Sequence, residues 1–370
     1  MKSRGLYAIA EKEFQDHTHS RKFLMFLSII LVVTIIGMAS GSVDYKQQID
    51  DYNDKMSVVD EDSESLSYWY KPSIMTIFVS VGALLASLGS ILGIAMGFDL
   101  ITKEKESKSL KILLSHPIYR DEVINGKAAG GILALLLALF ITFVIALGIM
   151  LIFGIVPSGD EIMYIALFGL AAFLMIFSYF AISMFMSTVA RDSGNSLVYT
   201  LIFFVFLSSL LPIFVWSSTT DLIVGPAPEY PEASIDYVYG AGGTTAITMT
   251  ISEDAEVSET GEKVTDIAED EAWQKYMEEM EEYWGKREMI SGFVNLLSPT
   301  NNFQDIINTL AYSDNGMMSY LSSSYTPGDG ESAGIMDVLG KLLWNFVALI
   351  AIPVVFFGAA YVRFMRLDVR

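Results

Sequence analysis

The 370-residue sequence contains no cysteine, so neither a disulfide framework nor a thiolate metal site can be built from it. It also lacks ionisable residues inside its long apolar blocks, the nearest being Asp99 and Lys341 at block ends. Ion-driven carriers and intramembrane proteases hold protons or ions at membrane depth with Asp, Glu, His or Lys, so this absence argues against both. No Gly-Lys pair, at Gly126, Gly285 or Gly340, has the context of a phosphate-binding loop, which argues against ATP hydrolysis by this chain. Histidine is scarce: His17, His19 and His116 lack a partner constellation at ligand spacing, and no metal site is expected. The 19 methionines, Met184 with Met186 and Met317 with Met318 among them, read as apolar filling rather than as a copper site.

What is present is apolar. Hydrophobic residues make up 52% of the chain and the mean hydropathy is +0.45, and these residues are gathered into blocks. A hydrocarbon core of about 30 Å needs roughly 20 apolar helical residues, because only a helix or a closed barrel satisfies its own backbone there. Six blocks reach that length: Phe23–Ser40, Ile74–Phe98, Ala128–Val156, Ile162–Val189, Leu197–Trp216 and Leu339–Val362. The first is read as an uncleaved anchor, since the residues before it are too many and too acidic for a secretory signal.

Basic residues are retained on the cytoplasmic side of a membrane. The N-terminus, the loop from Asp99 to Lys127, the turn at Arg191 and the C-terminal tail hold 15 of the 23 basic residues but only 10 of the 43 acidic ones. Both termini are therefore expected in the cytoplasm and the acidic segments outside. An acidic outer face repels nucleic acid, which is discarded as a partner. An exported, disulfide-free, acidic surface suits a prokaryotic cell, archaea included.

The expected fold is an all-α integral membrane protein of six transmembrane helices, with an amphipathic N-terminal interfacial helix and a small α+β extracellular insertion before the last span. Residues 1–22 form the amphipathic helix, in which Tyr7, Ala10 and Phe14 fall at spacings that can share one face against lipid. Residues 23–216 hold five spans; an acidic outer loop of about 30 residues follows Ser40 and ends in the belt-like cluster Tyr68-Trp69-Tyr70. Residues 217–337 form an acidic extracellular domain. Within it Thr245–Ile251 alternates like a strand, and Ala272–Leu297 spaces Trp273, Tyr276, Met277, Met280, Tyr283 and Trp284 as a helix whose apolar side packs in a core. Pro299 opens a second short helix over Asn301–Leu310, and 322–334 is a flexible return. Residues 338–370 are the last span and a basic tail.

The loop 99–127, DLITKEKESKSLKILLSHPIYRDEVINGK, is the most informative element. Lys103–Ser115 reads as a helix, charged first and apolar last, that Pro117 stops. Such an apolar helix end on a cytosolic face suits a groove on a partner. This loop resembles the first cytoplasmic loop of ABC-2 type transporter permeases: an acidic pair (Glu104, Glu106), a small residue with Leu (Ser109, Leu110), a Leu-Leu step (Leu113, Leu114), Pro-Ile with a basic residue (Pro117, Ile118, Arg120) and Gly126-Lys127 opening the third helix. It departs from that family in having Lys108-Ser109 where Gly-Thr is usual. The spans, the outer insertion with Leu297-Ser298-Pro299 and the tail with Arg363, Arg366 and Arg370 are similar to the family too.

The resemblance implies the permease subunit of an ABC transporter, read as an exporter, and spans that offer only hydroxyls and aromatics suggest a lipid-like or otherwise apolar-compatible cargo. The resemblance also implies a second permease copy, identical or not, and a separate ABC ATPase subunit that carries the ATP and Mg, so that this chain is not an enzyme and binds no cofactor. It makes the loop helix a coupling helix, with Leu110, Leu113 and Leu114 filling the ATPase groove and Glu104, Glu106 and Arg120 fixing the register. The alternative is a membrane-anchored extracellular binding or sensor protein, for which six spans are more than an anchor requires.

Overall fold

The computed structural model describes residues 3–58, 72–108, 119–216, 220–229, 234–239, 245–250, 271–312 and 335–367. The expected Tyr68–Tyr70 belt, residues 109–115 of the expected loop helix and the return at 322–334 lie outside these residues. Six helices among them are long and apolar enough to cross a membrane. These are α2 (Arg21–Val58), α3 (Thr76–Gly97), α5 (Arg120–Ile152), α6 (Gly159–Val189), α7 (Ser193–Val205) with its continuation, and α12 (Ile335–Met365). Helix α1 (Ser3–Thr18) precedes them, and the single turn α4 (Thr102–Glu106) follows α3.

Two compact units are present, residues 1–209 with 296–370, and residues 210–295. In the first, α3 and α6 are central: 61% of the most apolar stretch of each is buried, against 28% or less in the other four. They approach closely because glycines face the partner backbone. A Cβ on Gly93 would stand 2.5 Å from the Ile176 carbonyl oxygen, and one on Gly97 would collide with Ser183. Close backbone approach through small residues is the usual means of packing helices in lipid, where burial gives no hydrophobic gain. Phe168 of α6 meets Phe78 of α3 at 5.2 Å, Phe143 of α5 at 5.8 Å and Phe303 at 5.5 Å, tying three helices to a fourth.

That fourth is α11 (Pro299–Tyr312), whose Phe303, Ile306, Ile307 and Leu310 are buried in the bundle against α3, α6 and α12. Asn302 donates to the Leu296 and Ser298 carbonyls at 2.8 and 3.0 Å and accepts from Asn345 of α12 at 3.3 Å. Tyr179 of α6 and Thr300 share a 2.7 Å hydrogen bond. Pro353, inside α12, has no N–H for the carbonyl four residues earlier. The Ser178 hydroxyl of α6 lies 3.3 Å from that orphaned Leu349 oxygen and 2.7 Å from Leu174 O, so one proton serves two acceptors. Pro212 acts similarly: α7 passes through a π-turn at Phe206–Leu210 before resuming as α8 (Leu211–Trp216), which makes room for the proline ring.

Three sequence expectations change. The first span does not give way to a loop at Gly41, because α2 continues to Val58; no glycine or proline interrupts residues 42–58. Helix α5 starts at Arg120 rather than near Lys127, with Asp121 and Glu122 favourably placed in its first turn. On α1 it is Ile9, Ala10 and Glu13 that are buried, while Tyr7 is 71% exposed and belongs to the other face.

The second unit contains α9 (Asp221–Val224), an antiparallel pair β1 (Ser234–Tyr239) and β2 (Thr245–Thr250) in register Ser234↔Thr250 to Tyr239↔Thr245, and most of α10 (Glu271–Leu297). Asp221 accepts from the Tyr283 hydroxyl and from Arg287, both at 2.8 Å. Of the aromatic stripe on α10, Tyr283 is buried, whereas Met277 and Trp284 are exposed rather than packed in a core.

Candidate coupling site

At the end of the bundle that carries both termini, polar groups converge on α4 and on the start of α5. Lys127, one turn into the apolar part of α5, is only 3% exposed and lies between two carboxylates, Glu13 of α1 at 2.6 Å and Glu104 of α4 at 2.7 Å. An ammonium so removed from water is held by paired charge and charge-assisted hydrogen bonds. The cluster forms because α1 lies flush on α5. A Cβ on Gly130 would stand 2.7 Å from the Ala10 carbonyl, and one on Gly126 2.8 Å from Ile9. Glycines four apart open a groove, and Glu13 reaches down it.

Glu104, Lys105 and Glu106 of α4 engage three different neighbours. Lys105 donates to three carbonyls at the C-terminal end of α6, Ser187 at 3.2 Å, Thr188 at 2.8 Å and Ala190 at 3.1 Å; a cation there also meets the negative end of the helix dipole. Glu106 accepts from the Ser193 backbone N–H at the start of α7. The Ser187 hydroxyl accepts from the Ile101 and Thr102 amides at 3.0 and 3.1 Å. Asp192 caps α7 through Asn195 N at 2.8 Å, which fixes the α6–α7 turn that α4 grips.

On the far side of residues 109–118, Arg120 donates to the carbonyls of Met365 and Leu367 at 3.2 and 2.8 Å, closing the C-terminal end of α12. Nearby, Lys22 pairs with Asp99 at 2.7 Å and lies 4.4 Å from the centre of the Phe98 ring. His17 faces the same region with Nε2 buried and unpartnered; burial holds its imidazole below the ordinary histidine value, against the pull of Glu13 and Asp99. His19 is exposed, its Nδ1 2.9 Å from Gln15 O, so the two histidines face different surroundings.

Glu104, Glu106 and Arg120 are thus each held by a different partner within the chain, Lys127, the Ser193 amide and the end of α12. Leu110, Leu113, Leu114, Pro117 and Ile118 lie outside the described residues. Sequence reasoning missed Glu13 and Lys127 as a pair, and Lys105 as the group that holds the α6 end.

Six apolar helices, four of them packed around a central pair, with polar groups gathered on α4 and the start of α5, define a multi-pass membrane protein. A family model described as ABC-2 family transporter protein matches residues 7–369, nearly the whole chain, and the chain belongs to that family. It is a membrane component of transport rather than a catalytic subunit. No curated protein matches the sequence.

Proposed function

We propose that this chain is the permease subunit of an ABC exporter, with its termini in the cytoplasm and residues 99–127 coupling it to a separate ATPase subunit. One observation carries this reading: the segment 109–118 leaves from α4, which is fastened to α5, α6 and α7, and returns at Arg120, which is fastened to α12. A segment seated in an ATPase groove through Leu110, Leu113 and Leu114 would move those helices together. Glu104, Glu106 and Arg120 then set the register of the segment indirectly, by holding its two ends.

Two permease copies and two ATPases, the latter carrying ATP and Mg, complete the transporter; this chain needs no cofactor of its own. The cargo is lipid-like or otherwise apolar-compatible, in keeping with spans that offer hydroxyls and aromatics. Helix α1 lies at the inner interface, residues 217–337 form an outer α+β domain, and the acidity of that region suits a prokaryotic cell surface.

The test is a detergent pull-down of the tagged chain from its native membrane, comparing wild type with Leu113→Asp by mass spectrometry and ATPase assay. An ATPase recovered with wild type and lost with the variant supports a coupled permease. No ATPase with either would favour an anchored sensor.

A further inference from the structure

Between α1, the start of α2, the α3–α4 junction and Lys127 of α5 lies a cavity of ≈ 420 Å³, large enough for a small polar group. Four carboxylates line it, and each already has a lysine: Glu13 and Glu104 share Lys127, Asp99 has Lys22, and Asp16 has Lys12 at 3.6 Å. Two further wall cations, Arg21 and Lys103, have no carboxylate within ion-pair distance among the described residues. The excess charge is therefore positive, and an anion fits.

Two more observations narrow the chemistry. Among the described residues, His17 Nε2 and Glu104 Oε2 are buried side-chain atoms of this wall with no hydrogen-bond partner. In one neutral tautomer His17 presents an N–H to an anion. Glu104 Oε2 can only accept, so the ligand must also carry a donor. The cavity sits where the charged Arg21-Lys22 pair gives way to the apolar run from Phe23, which is the depth of lipid headgroups.

We propose that this cavity binds the headgroup of a membrane phospholipid, a phosphodiester on Arg21, Lys103 and His17 with a hydrogen-bond donor on Glu104. A bound headgroup would bridge α1 to α2 and α4 and so brace the docked N-terminal helix. The inference does not depend on transport or on an ATPase partner.

The test is native mass spectrometry of the purified full-length chain in mild detergent, titrated with phosphatidylethanolamine, phosphatidylglycerol and phosphatidylcholine of identical acyl chains. One molecule of ethanolamine or glycerol lipid should be retained, about tenfold more tightly than choline lipid, whose quaternary ammonium cannot donate to Glu104. Arg21→Gln with Lys103→Gln should weaken retention at least about tenfold, and His17→Phe should occupy the cavity and weaken it too, while Lys46→Gln at the other end of α2 changes nothing. Equal binding of all three lipids would overturn the proposal, and that comparison needs no variant to fold. So would unchanged binding by both site variants, or displacement of lipid by millimolar inorganic phosphate, which would make the cavity a site for soluble anions.

Discussion

Replacing Lys127 by methionine would keep the volume of the side chain and remove its charge, leaving Glu13 and Glu104 facing one another across the vacated position. Both are poorly placed to recover water, their side chains being 9% and 16% exposed. Removing one partner of a buried ion pair costs about 3–5 kcal/mol, chiefly through the stranded charge. Here two carboxylates are stranded, but α1 can swing away from α5 to hydrate Glu13, so we take the lower figure, about 3 kcal/mol, as the cost of keeping α1 docked.

That cost corresponds to roughly a hundredfold rise in local opening, and hydrogen–deuterium exchange of residues 3–18 measures it directly. Lys127→Met should accelerate exchange there by about two orders of magnitude while α3 and α6 stay protected. Glu13→Gln should do much less, about 1 kcal/mol, because Lys127 keeps Glu104. The triple variant Glu13→Gln, Lys127→Met, Glu104→Gln should restore most of the protection, since no charge is left buried. Wild-type exchange in Lys127→Met, or Glu13→Gln as harmful as Lys127→Met, would refute the reasoning.

The other expectations concern the bundle. Ser178→Ala should cost about 1 kcal/mol in thermal unfolding, and close to nothing in a Pro353→Ala background, where residue 353 supplies the N–H that Leu349 O lacks. Gly93→Val should cost at least about 1–3 kcal/mol or abolish expression, because its Cβ would meet backbone, whereas Gly148→Ala, with open space around it, should be neutral or slightly stabilising. The Asp305 carboxyl of α11 is raised to about 6 from 3.8 by burial, against a lowering hydrogen bond from Asn345. The folded chain therefore binds this proton more tightly than the unfolded one, so stability is full below about pH 4 and falls as pH rises through about 6. Asp305→Asn should flatten that window, worth on the order of 2 kcal/mol, in melts between pH 4.5 and 7.5.

The six spans were legible because length and apolarity alone decide them. Their ends were less so, since apolarity does not set where a helix ends: with no glycine or proline in residues 42–58, α2 runs on past the apolar block to Val58. Ala10 is buried while Tyr7 is exposed, because spacing says which residues can share a side, not which side meets protein. The Glu13–Lys127 pair joins residues 114 apart, a separation that no local pattern reports. Two signals could still have found it. Glu13 lies four residues after the buried Ile9, and Gly126 with Gly130 marks a helix face shaped for close approach.

Those signals bear on how a short segment could act on a whole bundle. A push delivered at one point moves a structure as a unit only if the contacts around that point are stiffer than the segment that delivers it. Successive residues of α4 face different directions, about 100° apart around the helix, and here each direction ends in a different partner: Glu104 on Lys127 of α5, Lys105 on the α6 carbonyls, Glu106 on the α7 N-terminus. Under the proposed coupling role, one helical turn would then distribute a displacement to three spans, with Arg120 carrying it to α12. Lys105→Met separates this from a merely folded loop: it frees only the α6 carbonyls, so it should lower transport-coupled ATPase activity while the ATPase still co-purifies. Loss of the ATPase from the pull-down would instead place Lys105 in the docking surface itself.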